Sequence, residues 1–174
     1  HKPEGYITTV SDPQGRPTVM DLVTGVRERV YPVGRLDCAT SGLLLLTNDG
    51  ELAYRLLHPR FESEKVYLVT VEGGVGAAAL AALRRGVMLK DGPTAPARVE
   101  VIGQGAGQTR LRLTIHEGRK RQVRRMLAAV GHPVIKLVRV AMGPLRLAGL
   151  APGQWRHLTP SEIEELRRYV GLEP

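Results

Sequence analysis

The sequence is poor in residues that mark several common classes of protein. Cys38 is the only cysteine among 174 residues, which excludes an intrachain disulfide and a cysteine-rich zinc site and suits a reducing cytoplasm. Aromatic residues make up 4% of the chain, so a core has to be built from aliphatic side chains. No apolar run reaches the roughly 18 residues of a transmembrane helix, and no signal peptide is visible.

Two further kinds of site find no support in the pattern of residues. The five histidines lack the spacing of metal ligands, so no metal is expected. The glycines within 103–107 precede a predicted strand rather than a helix, and no phosphate-binding loop is present elsewhere. The sequence therefore predicts neither a metal nor a small-molecule cofactor.

Positive charge is abundant and unevenly placed. The chain carries a net charge of +8, and the stretch from Arg110 to Arg146 holds ten basic residues against one acid, Glu117. The remainder of the chain is close to neutral. Such clustering is typical of a surface that binds phosphates, so a nucleic-acid partner is expected.

Hydrophobic periodicity predicts more strands than helices, joined by short turns. The predicted strands lie at 5–10, 31–33, 43–47, 65–72, 98–102, 109–116, 134–140 and 154–158. Helices are predicted at 18–23, 51–58, 77–85 and 120–130, with a last helix that Thr159 caps and that runs through Tyr169. The predicted fold class is therefore α+β, with a mostly antiparallel or mixed central sheet flanked by helices.

The most informative segment is residues 34–50, GRLDCATSGLLLLTNDG. Asp37 lies in a loop just before a short apolar run, where a carboxylate can be held by a buried strand and still face a cleft. On chemistry alone, a loop aspartate more often caps backbone N–H groups, and Arg35 would be an ordinary solvated side chain. Cys38 has no histidine in the motif to activate it and is interpreted as a bystander.

This segment resembles the catalytic motif of the RsuA/RluB-type ribosomal RNA pseudouridine synthases. Three further segments resemble other motifs of that family and occur in the same order: residues 2–5 (KPEG), 64–69 (EKVYLV) and 117–126 (EGRKRQVRRM). Because four ordered motifs span nearly the whole chain, the resemblance is specific.

The resemblance implies an α/β core sheet with a central cleft and an activity that converts uridine to pseudouridine without cofactor or metal. It implies that Asp37 is the catalytic aspartate, acting as nucleophile or as base, a choice that the sequence leaves open. Tyr67 matches the tyrosine that stacks on the target base. A cation of the third motif is implied beside the aspartate; Arg124 is the choice, with Arg119 and Arg121 as alternatives.

The resemblance also implies an RNA-binding set. Arg35 matches a position that enters the RNA where the base has left. The remaining candidates, which would contact phosphates, are Lys65, Arg119, Lys120, Arg121 and Arg125. A non-catalytic ribosomal RNA-binding or ribosome-assembly module is the alternative function, and the intact GRLD segment argues against it.

The expected partner is ribosomal RNA, and residues 91–97 and 119–122 favour the large-subunit branch of the family. Residues 1–174 are interpreted as one catalytic domain that lacks the small N-terminal RNA-binding domain of most members. We expect a monomer in the cytoplasm that has no membrane partner.

Overall fold

The computed structural model describes residues 1–173, and the chain divides into two compact units. The first unit combines residues 1–63 with those from 139 onward, and the second is Glu64–Val138. The helices are α1 (Gly50–Leu57), α2 (Ala77–Arg85), α3 (Gln122–Ala129) and α4 (Pro160–Tyr169). The strands are β1 (Tyr31–Pro32), β2 (Ser41–Gly42), β3 (Leu46–Thr47), β4 (Lys65–Glu72), β5 (Met88–Leu89), β6 (Gly92–Pro93), β7 (Arg98–Gly105), β8 (Gln108–Ile115), β9 (Val134–Met142) and β10 (Leu145–Arg146). Short 3-10 turns lie at Val19–Asp21 and Pro59–Phe61.

The second unit is built on long antiparallel strands. β8 lies between β4 and β7, and β4 has β9 on its other side. Alternation along β8 turns Leu111, Leu113 and Ile115 into a core that also receives Val123, Met126 and Leu127 of α3. The smaller β5–β6 hairpin stands apart from this sheet.

The first unit has short strands and relies on helices to enclose its core. β1 pairs with β3, while β2 and β10 both pair with β9, whose residues are shared by the two units. Leu52 and Leu56 of α1 and Leu166 of α4 pack in one core with Val33, Leu43 and Leu45. α4 begins with a complete capping box between Thr159 and Glu162, as predicted.

The predicted α+β class with a mixed central sheet and flanking helices is confirmed. β4 and α2 have the predicted bounds, and α4 ends at Tyr169. In the described part of the chain, no helix combines the length and the apolar character that crossing a membrane requires.

Several local predictions are wrong. Segment 5–10 forms only an isolated bridge between Ile7 and Thr18, and segment 154–158 has no strand. In the apolar run 43–47 only β3 pairs as a strand, and Asp49, rather than Asn48, caps α1. α3 begins at Gln122 instead of at residue 120, because Arg121 has a left-handed backbone with φ of 51°.

Candidate active site

The backbone around Asp37 is fixed by a buried lysine of the first unit. Lys2 is 2% exposed, and its ammonium donates to the carbonyl oxygens of Asp37 at 3.0 Å and Thr40 at 2.7 Å. It also donates to those of Cys38 and Pro3, at 3.3 and 3.1 Å. Burial lowers the pKa of Lys2, and the nearby acidic groups Cys38, Asp37 and Glu4 oppose that shift. One cation thus ties together four carbonyls, three of which belong to the loop that carries Asp37.

Further contacts from the N-terminal segment hold the same loop. The Thr8 hydroxyl donates to the carbonyl of Leu36 at 2.8 Å and accepts from the backbone N–H of Leu36. The backbone N–H of Gly5 donates to the carbonyl of Cys38 at 2.9 Å. Leu36 itself is buried, so the chain is anchored on both sides of Asp37.

Within this loop the side chains differ in exposure. Asp37 is partly exposed, while Arg35 and Cys38 are exposed to solvent. Thr40 and Ser41, which follow, are buried. The loop therefore carries a partly exposed carboxylate on a backbone that several hydrogen bonds hold in place, an arrangement that suits a preorganised catalytic group.

In the middle of segment 34–50, the backbone at Gly42 closely approaches the backbone of β9. Gly42 has φ of 120°, and a Cβ atom at this position would overlap the backbone nitrogen and oxygen of Arg139. Leu43 N–H donates to the carbonyl of Arg139 at 2.7 Å, and the Arg139 Nε donates back to the carbonyl of Leu43 at 2.9 Å. The glycine of the TSGL sequence is therefore required by packing against β9.

Tyr67 and Lys65 lie on β4 of the second unit. Tyr67 is opposite Leu113 of β8 and packs in part against the core, which leaves its ring half-buried. Lys65 is 7% exposed, and its Nζ lies 3.9 Å from the position that a Cβ of Gly118 would occupy. Lys65 is thus a buried cation beside the third motif rather than an open surface lysine.

The third motif forms a loop that leads into α3. We call residues 117–121 (EGRKR) the basic loop. Lys120 and Arg121 are exposed, whereas Arg124 in the first turn of α3 is half-buried. Gln122 is 4% exposed and joins the start of the loop to its middle, because its amide donates to the Glu117 carboxylate at 2.9 Å and accepts from the backbone N–H of Arg119.

Two arginines of this motif are engaged by one carboxylate. Asp91, at the tip of the β5–β6 hairpin, accepts from Arg125 Nη1 at 2.7 Å and from the guanidinium of Arg119. Arg119 also donates to the carbonyls of Gly92 and Pro93. The hydrogen bonds from Arg125 and then from Arg119 hold the pKa of Asp91 well below its usual range.

The basic stretch is therefore less uniform as a phosphate-binding surface than its sequence indicates. Arg139 is 4% exposed and serves the packing of Gly42 and Leu43. Arg112 lies 3.8 Å from Glu100 on the neighbouring strand. These charges are compensated or buried, and the exposed positive charge of the third motif is carried by Lys120 and Arg121.

A cavity of about 480 Å³ lies elsewhere in the first unit. Its walls include Trp155, Leu166 and the whole apolar run 43–47, and Asp37 is not among its lining residues. The candidate catalytic loop is thus separate from this apolar cavity.

The predicted site residues fall into two groups. Asp37 and Arg35 belong to the first unit, and the second unit contains Tyr67, Lys65, Arg119, Lys120, Arg121, Arg124 and Arg125. Sequence reasoning missed the roles of Lys2, Asp91 and Arg139. Lys2 and Asp91 lie in segments that resemble family motifs, but nothing local to either residue indicates which distant groups it binds.

Comparison with known proteins agrees with these motifs. A family model described as RNA pseudouridylate synthase matches residues 1–129. The ribosomal large subunit pseudouridine synthase B of Bacillus subtilis is 48% identical over 169 residues, covering 96% of this chain and 69% of that protein. An uncharacterized RNA pseudouridine synthase of Aquifex aeolicus is 47% identical over 174 residues, covering 99% of this chain and 70% of that protein.

A solved structure described as a pseudouridylate synthase superposes with a TM-score of 0.86 at 38% identity. The match covers 95% of this chain and 70% of that one. Fold, motifs and relatives agree, and the chain belongs to the RNA pseudouridylate synthase family.

Proposed function

We propose that this chain isomerises a specific uridine of large-subunit ribosomal RNA to pseudouridine, with Asp37 as the catalytic carboxylate. The observation that carries the proposal is the set of hydrogen bonds by which Lys2, Gly5 and Thr8 hold the backbone around Asp37. The chain that contains this loop belongs to the RNA pseudouridylate synthase family. The name of the Bacillus subtilis relative supports large-subunit RNA as the substrate.

The reaction needs no co-reactant, because substrate and product are isomers. The bond between the sugar carbon C1′ and N1 of uracil breaks, the detached uracil rotates, and a bond forms between C1′ and C5. The proton on C5 is then lost and N1 gains one. Asp37 serves as nucleophile or as base in this sequence, and its rigid backbone keeps the carboxylate in place while the uracil turns.

Arg124 and Tyr67 are the proposed companions of Asp37. A carboxylate that is withdrawn from water needs a cation to balance its charge, and the family resemblance assigns that role to Arg124. Tyr67 is proposed to stack on the flipped uracil, for which a ring already held by packing against its own core is well suited.

Around this centre, Arg35 is proposed to occupy the space that the flipped base leaves. Its exposure on the Asp37 loop suits contact with RNA. Lys120 and Arg121 are proposed to bind phosphates, since both are exposed on the basic loop. Lys65, beside Gly118, is proposed to add positive charge beneath that loop. We further propose that the protein acts as a monomer in the cytoplasm, where its one exposed cysteine would stay reduced.

The test is pseudouridine formation in transcribed large- and small-subunit RNA, mapped by chemical modification and primer extension. Protein in excess over RNA allows a single turnover, so weak affinity does not hide the chemistry. Asp37→Asn is compared with Glu28→Gln, which removes one negative charge from an exposed position of the same unit.

We expect one new stop in large-subunit RNA with the parent chain and with Glu28→Gln, and none with Asp37→Asn. Retained activity of Asp37→Asn would refute the catalytic role. A stop in small-subunit RNA alone would correct the substrate. RNA binding without any stop would favour the non-catalytic binding module.

A further inference from the structure

The β5–β6 hairpin is fastened to the basic loop by a set of polar contacts within the second unit. Asp91 accepts from both Arg119 and Arg125, and Arg119 reaches two carbonyls of the same hairpin. Arg125 Nε also donates to the carbonyl of Lys120 at 2.9 Å, so its guanidinium joins the loop backbone to Asp91.

A second group of bonds ties the same two segments together next to Asp91. The backbone N–H of Ala95 donates to the Glu117 carboxylate at 2.8 Å. That carboxylate also accepts from Gln122, which holds the backbone N–H of Arg119. The segment after β5 is therefore bonded directly to Glu117 and Arg119 of the basic loop, and Arg125 links Asp91 to the backbone of Lys120.

This arrangement separates four of the five basic residues of the third motif into two pairs. The side chains of Arg119 and Arg125 are 20% and 33% exposed, and their guanidinium groups donate hydrogen bonds to the hairpin and to the loop. Lys120 and Arg121 lie between them in the chain and are exposed. The Asp91 carboxylate, which is bonded to two of these arginines, weakens the attraction of the surface for RNA at long range, so its presence calls for another role.

We propose that Asp91 is a positioning residue. It clamps Arg119 and Arg125 so that the basic loop presents Lys120 and Arg121 to RNA phosphates in one fixed geometry. Arg119 and Arg125 hold the loop instead of contacting RNA. The inference rests on the proposed function, because it assumes an RNA substrate.

The alternative is that Asp91 forms an ordinary surface ion pair, and such pairs often contribute little. The two interpretations predict different reaction rates after Asp91 is removed. Loss of a mere ion pair adds one net positive charge and changes little else. Loss of a clamp adds the same charge, so RNA affinity does not fall, but it also frees the loop, so the reaction slows.

The experiment compares Asp91→Ala with Glu100→Ala. Both changes remove one carboxylate that pairs with arginine on the surface of the second unit, and Glu100 lies on β7 outside the basic loop. Three quantities are measured: trypsin cleavage after residues 119–121 in the native protein, RNA affinity as a function of salt, and the single-turnover rate. Thermal unfolding confirms that both variants are folded.

For Asp91→Ala we expect cleavage in the loop to rise at least about fivefold, as local order is lost. The rate should fall by about tenfold or more, because misplaced contacts cost alignment of the substrate. Affinity at low salt should be equal or higher, with a steeper dependence on salt. Glu100→Ala should match the parent chain in cleavage and in rate.

Equal behaviour of the two variants would show that Asp91 is an ordinary ion pair and overturn the proposal. A slower reaction without faster cleavage, or with weakened RNA affinity at low salt, would overturn it as well. Cleavage by trypsin does not depend on catalysis. Faster cleavage of Asp91→Ala would therefore still reveal that Asp91 holds the loop, even if the pseudouridine assay had refuted the proposed function.

Discussion

The ammonium of Lys2 lies 3.0 Å from the carbonyl oxygen of Asp37, a residue 35 positions further along the chain. The contact is with the backbone carbonyl of Asp37, so it fixes the position of the chain at this residue. A lysine with little access to solvent thus acts as a donor that shapes the loop.

Lys2→Met keeps the length of the side chain and removes the ammonium. Buried carbonyls then lose a charged donor, which should cost about 1–3 kcal/mol in the free energy of unfolding. The turnover rate should fall more than the Michaelis constant for RNA rises, because the Asp37 loop loses its fixed geometry. Denaturant unfolding and steady-state kinetics measure the two effects.

Arg27→Met is the control for the Lys2 variant, since it removes one positive charge from an exposed position of the same unit. It should leave both stability and turnover close to those of the parent chain. Similar effects of the two substitutions would mean that net charge, and not the contacts of Lys2, determines the outcome.

Gly42→Ala tests the close approach of β2 to β9. Its Cβ would overlap the Arg139 backbone, so we expect a loss of more than about 2 kcal/mol in unfolding free energy. Gly25→Ala is a matched control, because Gly25 also has positive φ, 86°, but has nothing within 4 Å of a Cβ. Backbone strain alone should cost Gly25→Ala about 1 kcal/mol. Equal losses in thermal unfolding would contradict the steric argument.

Elements that carry their own signals were predicted well from the sequence. β4 is a run rich in β-branched and aromatic residues between the charged Lys65 and Glu72, and α2 is an alanine- and leucine-rich run that Gly86 ends. The capping box of α4 is likewise a local pattern. Such signals depend on neighbours in the chain, so the bounds can be read without knowledge of the fold.

Segments that are fixed by distant partners were predicted poorly. Residues 153 and 154 are tied to His1 through backbone hydrogen bonds, and no strand forms at 154–158 although the composition suggested one. The same limit applies to the site. Motif resemblance indicated Asp37 and Arg119, but Lys2 and Asp91 bind them across 35 and 28 positions, and no local pattern reveals such pairings.

The α4 capping box should give the protein a measurable response to acid. Hydrogen bonds from Arg156, and then from the Thr159 backbone, lower the pKa of Glu162 to about 2. Because this folded pKa lies below the ordinary value of 4.5, the ionised group stabilises the fold above pH 4.5. That contribution is lost progressively as the pH falls toward 2.

Glu162→Gln should therefore lower the unfolding free energy near pH 7 by less than about 1 kcal/mol, since the pair is partly exposed. The difference from the parent chain should shrink between pH 4.5 and 2. Glu164→Gln removes the same charge from an exposed position of α4 and controls for net charge. A difference that stays constant with pH in thermal unfolding would contradict the assigned role.

The last prediction separates two adjacent arginines of α3. Arg124 is the proposed cation for Asp37, whereas Arg125 binds Asp91 and the Lys120 carbonyl. Arg124→Ala should lower the single-turnover rate by about a hundredfold or more, the usual effect of removing a group that stabilises charge at the reacting centre. Arg125→Ala should slow the reaction less and should raise trypsin cleavage in the basic loop, as Asp91→Ala does. If both variants slow the reaction equally and both loosen the loop, Arg124 holds structure rather than charge, and Arg121 becomes the next arginine to test.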